Sequence, residues 1–134
     1  MSTVESPKID FVSSNFHAET GEENLTHPGV YGKALAAWMA TKLGERGQTC
    51  GTPSPEEWGW RIPVTEHGTT AYVACSNVFD SPNMYTVFVF ADTGVVAKLA
   101  GRAGSKASVD SLYGVVKDIL QIEYRLLIIS EPQS

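Results

Sequence analysis

A chain of 134 residues is the length of one ordinary domain and leaves no room for two cores of comparable depth. Its 43% hydrophobic and 19% charged residues exclude collagen-like, disulfide-scaffold and wholly disordered classes. Ten Lys and Arg against fifteen Asp and Glu leave a formal charge of -5, which disfavours nonspecific attraction to nucleic-acid phosphates or anionic lipid.

Residues Met1 to Asp10 lack the basic and apolar regions of a secretory signal, and no apolar run approaches the roughly 18–20 residues of a membrane-spanning helix. Only Cys50 and Cys75 are present, neither a disulfide framework nor a paired metal motif, so a reducing cytoplasm is the expected location.

Residues 1–8 have the composition of a flexible tail, and a single domain is expected over 9–134. Ile9, Phe11, Val12 and Phe16 suggest a short extended segment, followed by a turn over Glu19 to Asn24. After Pro28-Gly29, apolar residues recur at spacings of three and four through Tyr31, Leu35, Trp38, Met39 and Leu43, which predicts an amphipathic helix ended by Gly44 or Gly47. Tyr31, Leu35 and Trp38 are expected to wall the core. Ser54-Pro55-Glu56-Glu57 has the spacing of a capping box and predicts one short helical turn.

Trp58, Trp60, Ile62 and Val64 then alternate with small or polar residues, predicting a strand that sends all four to one face, with Pro63 pointing to an edge or irregular position. His67-Gly68 is a hairpin turn into Thr70 to Val78, and Asp80 to Asn83 turns into Met84 to Ala91, so three antiparallel strands are expected. Val95 to Ala100, after the turn Asp92-Thr93-Gly94, fits either a strand or a short helix. Ser105 or Ser108 can cap a second helix that buries Val109, Leu112, Val116, Ile119 and Leu120, with Asp110 near its positive end. Ile122, Tyr124, Leu126 and Ile128 alternate with their neighbours and favour a terminal strand over a continued helix. The sum is an α+β fold, an antiparallel sheet of about four to six strands with two main helices packed on one face.

Four segments, Phe16 to Glu23, Pro28 to Ala36, Pro55 to Trp60 and Val73 to Asn77, together resemble a family of small bacterial α+β proteins to which no activity is attached. The resemblance covers about residues 11–128 and implies the order of elements only. A helix and then a final strand close the chain in that family, which supports a strand over Glu123 to Ile129.

His17, Glu19, Glu22, Glu23 and His27 fall within eleven residues, and imidazole nitrogens with carboxylates can hold a divalent cation, but the spacing matches no metal motif and also describes a solvated acidic turn. Cys75, with Asn77 nearby, would be a nucleophile if His67 or His17 activated it, whereas a small side chain in a strand packs well without reacting. Ser76 and Ser81 lack the Gly-x-Ser-x-Gly elbow. Lys98, Arg102 and Lys106 are the one concentrated basic stretch and can meet a phosphate at a helix start, although no Walker A order occurs. Trp38, Trp58 and Trp60 read as one aromatic core, unless Trp58 or Tyr85 is left exposed to anchor a partner.

The expected function is therefore non-enzymatic binding of another, possibly basic, protein. An inhibitor, immunity protein or secretion chaperone would work in this way, with Glu19, Glu22, Glu23, Glu56 and Glu57 presenting negative charge and Trp58 and Tyr85 as anchors. No cofactor is implied. A homodimer through an edge strand over Ile122 to Ile129 is a compatible variant. The rival expectation is a small enzyme or ligand-binding protein with a pocket between the first helix and the sheet, using Cys75, His17 and His27. Nucleic-acid binding through Lys98, Arg102 and Lys106 is disfavoured by the overall charge.

Overall fold

Inward and outward side chains alternate along the long strands among the described residues, and the two faces thus separated have different fates. The computed structural model describes residues 3–66, 68–78, 83–92, 101–123 and 126–130. In chain order they form β1 (Thr3–Glu5), β2 (Lys8–Val12), a 3-10 turn (Glu22–Asn24), α1 (Lys33–Glu45), β3 (Thr49–Cys50), β4 (Ser54–Glu56), β5 (Gly59–Glu66), β6 (Thr69–Asn77), β7 (Met84–Asp92), α2 (Gly101–Glu123) and β8 (Leu126–Ser130).

The strands make one antiparallel sheet in the order β3-β5-β6-β7-β2-β8, with β4 also on β5 and β1 also on β7. This is the expected α+β class with more strands than expected. Ile62, Val64, Val73, Cys75, Val87 and Val89 face inward, joined by Ile9 and Phe11 of β2. Leu35, Met39 and Leu43 of α1 and Val109, Leu112, Val116, Ile119 and Leu120 of α2 close over them. Full burial of a side chain of this size stabilises by about 1.5–3 kcal/mol, so these two helix stripes hold the layers together.

Pro63 fits because its carbonyl, and with it the side of the backbone that lacks an N–H, points away from β6. There it accepts a hydrogen bond from the Gly51 amide at 2.8 Å, in the gap between β3 and β4.

Several expectations are corrected. Thr3–Glu5 is not a tail but a strand paired with Phe90 to Asp92, and buried Ser6 exchanges hydrogen bonds with Val89. Ser54–Glu56 is a strand against Gly59 to Arg61, because backbone pairing with β5 outweighs the local capping pattern. Helix α2 is described from Gly101, so Ser105 and Ser108 lie inside it and do not cap it, and Asp110 lies beyond its first turns, paired with Lys106, and not near its positive end. The helix runs to Glu123 and a strand follows from Leu126, so Ile122 is helical and exposed. Val95 to Ala100 lies outside the described residues, as do His67 and the turn from Asp80 to Pro82.

Candidate functional site

The first polar cluster is built around Glu22, a side chain only 3% exposed. Helix α1 starts at Gly32 and Lys33, where glycine at the cap offers no side-chain acceptor to the first amides. Glu22 supplies one from the preceding loop. Its Oε2 accepts hydrogen bonds from the Gly32 amide (2.7 Å), the Lys33 amide (2.9 Å) and the Trp60 indole Nε1 (2.9 Å), while Oε1 accepts from the Glu19 amide (3.0 Å). A carboxylate at the positive end of a helix is stabilised by the dipole as well as by the bonds. Asn77 ties the same loop to β6, accepting from the Tyr31 amide (2.9 Å) and donating to the Gly29 carbonyl (3.0 Å).

Two glycines let these parts close. A Cβ on Gly32 would stand 2.7 Å from the Cys75 carbonyl oxygen, and one on Gly59 would stand equally close to it. Gly59 also has φ 149°, a conformation that side-chain-bearing residues avoid. Its backbone turn sends Trp60 inward to Glu22 and leaves Trp58, in the preceding turn, on the opposite face. The expectation that both tryptophans share a face therefore fails at Gly59.

The acidic loop is thus a structural knot more than a charged surface. Glu22 is corrected from a partner-facing residue to a buried one, while Glu19 pairs with Lys33 at 2.9 Å and exposed Glu23 accepts the Gly29 amide. His17 and His27 are exposed, His27 against its neighbouring Pro28 carbonyl. Among the described residues no group of three His, Cys, Asp or Glu is placed to hold a metal ion. Cys75 is 0% exposed, and burial pushes its thiol well above the usual range, so it is neither accessible nor activated. Cys50 is half-buried and its thiol is raised for the same reason. The space between α1 and the sheet is filled by Leu35, Met39, Leu43 and Trp60, so the expected pocket there is replaced by core.

The second cluster lies on the sheet face turned away from both helices. Phe88 and Phe90 of β7, Tyr72 of β6 and Trp58 point outward and touch in sequence. Trp58 lies 6.4 Å from Phe88 and 6.0 Å from Phe90 between ring centroids, and Tyr72 stacks on Phe90 at 5.2 Å. Trp58 is 40% exposed. Two cations rest on the cluster, the Lys8 ammonium 5.1 Å from the Phe88 centroid and the Arg61 guanidinium 4.8 Å from that of Tyr72. Half-buried Glu56 contacts Arg61 at 3.5 Å, exposed Glu57 precedes Trp58, and exposed Glu5 helps to line a depression of about 240 Å³ with Trp58, Phe88 and Phe90.

Of the two anchors expected from sequence, Trp58 is on this face and Tyr85 is not. Tyr85 is 1% exposed, packed between Phe11 and Phe16, with its hydroxyl donating to the Phe16 carbonyl at 3.0 Å. The residues missed were Tyr72, Phe88 and Phe90. Period two places Phe88 and Phe90 on the face opposite Val87 and Val89, but with apolar residues at both parities the sequence carried no signal of which face is inward.

The basic stretch is also rearranged. Residues 101–106 are the first turns of α2 and not a phosphate-cradling loop, and Lys106 is an exposed helix residue bonded to Asp110 at 3.0 Å. Lys98 and the side chain of Arg102 lie outside the described residues.

No family model, curated protein or solved structure matches the chain. Among the described residues no helix is long and apolar enough to cross a membrane.

Proposed function

We propose that the chain is a non-enzymatic module that binds a basic partner protein, and that the partner docks on the outer aromatic face of the sheet. The observation that carries this reading is the contiguous cluster of Trp58, Tyr72, Phe88 and Phe90 on the side opposite both helices, Trp58 exposed and the other three half-buried. Aromatic side chains grouped in this way concentrate binding energy at protein interfaces, and an isolated exposed apolar residue would carry no such weight. Glu5 at the depression and exposed Glu57 next to Trp58, Glu56 being already paired with Arg61, together with the formal charge of -5 favour a partner of opposite sign. Inhibitors, immunity proteins and secretion chaperones act by this kind of engagement, and a reducing compartment would suit the two free thiols.

The test is capture of partners by tagged wild-type protein and by Trp58→Ala and Glu57→Lys variants, at low and high salt, with circular dichroism to check the fold. The expected result is a stoichiometric partner lost with either substitution and weakened by salt. Equal recovery by Trp58→Ala would refute the assignment of this face. A dimer seen on sizing of wild type alone would point to a second copy as the occupant.

A further inference from the structure

Resting on the docking reading above, we infer that the depression lined by Glu5, Trp58, Phe88 and Phe90 is an aromatic cage for a methylated lysine side chain of the partner. The three ring centroids form a near-equilateral triangle with sides of 6.4, 6.0 and 5.9 Å, and the rings are tilted by 41°, 81° and 40° to one another. These non-parallel rings border the depression together, so a cation seated in it lies close to all three. A point above the triangle lies within about 6 Å of all three centroids, the range over which a cation is attracted.

The lining supplies the sign of the ligand. Aromatic rings attract cations, and the exposed carboxylate of Glu5, whose side chain has no hydrogen-bond or ion-pair partner among the described residues, favours the same sign. Lys8, which does not line the depression, already seats its ammonium on the Phe88 ring, so this surface accepts such a group. Hydrogen-bonding capacity then selects the degree of methylation. A primary ammonium brings three N–H donors, and the lining side chains offer one acceptor group, Glu5. A trimethylammonium has no donor to satisfy and sheds its water at lower cost. The β4–β5 turn holds Trp58 over the sheet, and the paired strands β1 and β7 fix the other three residues, so the cage is formed before the ligand arrives.

The probe is N-acetyl-trimethyllysine amide, titrated into the full chain with the Trp58 indole and Phe88 ring signals followed by NMR. Its controls are the unmodified lysine amide, the neutral analogue with a tert-butyl head, and choline. The expected result is saturable binding of the trimethyl probe, with unmodified lysine and the neutral analogue about tenfold weaker, a ratio equivalent to about 1.4 kcal/mol. Trp58→Ala abolishes the response, Glu5→Gln weakens it about threefold, and Lys8→Gln, which removes a competing cation from Phe88, tightens it. Equal binding of the neutral analogue, or no binding of the trimethyl probe, would overturn the cage. Choline binding more tightly than the lysine probe would overturn the assignment to a protein side chain. If partner capture depends on Trp58 but the probe does not bind, the cage falls and the docking reading stands. If the probe binds and no partner is captured, the reverse holds.

Discussion

Glu22 is where the molecule is most sharply testable. Replacing it with alanine removes the acceptor for two fully buried donors, the Gly32 amide and the Trp60 indole, and for two half-buried amides that water can reach. Each orphaned buried donor costs about 1–3 kcal/mol, and loss of a negative charge at the start of α1 adds up to about 1–2 kcal/mol. Because the bonds share one carboxylate their effects overlap, and the expected loss is about 3–5 kcal/mol, a large share of the roughly 5–15 kcal/mol of a typical domain. Glu22→Gln keeps an oxygen for one side of the knot and is expected to lose about half as much. Trp60→Phe, which removes a single donor and keeps most of the ring, is expected to cost about 1–2 kcal/mol. Exposed Glu23→Ala, the control, is expected to change stability by about 0.5 kcal/mol or less. Urea unfolding followed by far-ultraviolet circular dichroism measures all four, and a double-mutant cycle of Glu22→Ala with Trp60→Phe gives the coupling. If Glu22→Ala were no worse than Glu23→Ala, or the coupling were zero, the account of α1 as a helix capped from outside would be wrong.

The remaining predictions concern single positions. Gly59→Ala is expected to destabilise by about 3 kcal/mol, since it meets both an unfavourable φ and the Cys75 carbonyl, whereas Gly114→Ala, in a helix with open space around it, should stabilise by about 1 kcal/mol. Thermal melts of the pair decide this. Tyr85→Phe is expected to cost about 1 kcal/mol through the lost bond to Phe16, measurable by urea unfolding. Burial keeps the Cys75 proton on in the folded state while the unfolded chain releases it. Its stabilising contribution is therefore complete below about pH 8.5 and declines by up to about 1.4 kcal/mol per pH unit above that, and Cys75→Ala should flatten this alkaline limb. A mass-spectrometric time course with iodoacetamide should show Cys50 modified first and Cys75 at the rate of unfolding.

Where one residue pattern decided the outcome, the fold was legible before the structure. The threes and fours from Leu35 to Leu43, and the alternation from Trp60 to Val64, each have one apolar face, and each buries it. The same logic stopped at β7, whose Met84 to Ala91 stretch is apolar on both faces, so Tyr85 and Phe88 were indistinguishable until the pairing with β6 set the parity. The capping-box pattern at Ser54 was overridden by pairing with Gly59 to Arg61, a contact made only once the chain has turned back. The candidate site was half legible. Trp58 was identified, and Glu22 was chosen as a charged residue, but its role depends on Gly32 and Trp60, partners brought to it by α1 and β5. Local sequence shows which groups need partners, and long-range geometry chooses them.

The position of β2 has a consequence for synthesis. It lies between β7 and β8, pairing Ile9 with Val87 on one side and with Ile129 on the other, although it is made long before either. The hairpins β5–β6 and β6–β7 are local and can assemble as soon as they leave the ribosome. Ile9 and Phe11 must wait exposed throughout, and the emerging chain carries a sticky apolar strand until β7 is complete. Lys8 and Asp10, alternating with them, put charge on the waiting strand, which is the composition that discourages it from pairing with neighbouring chains in the interval.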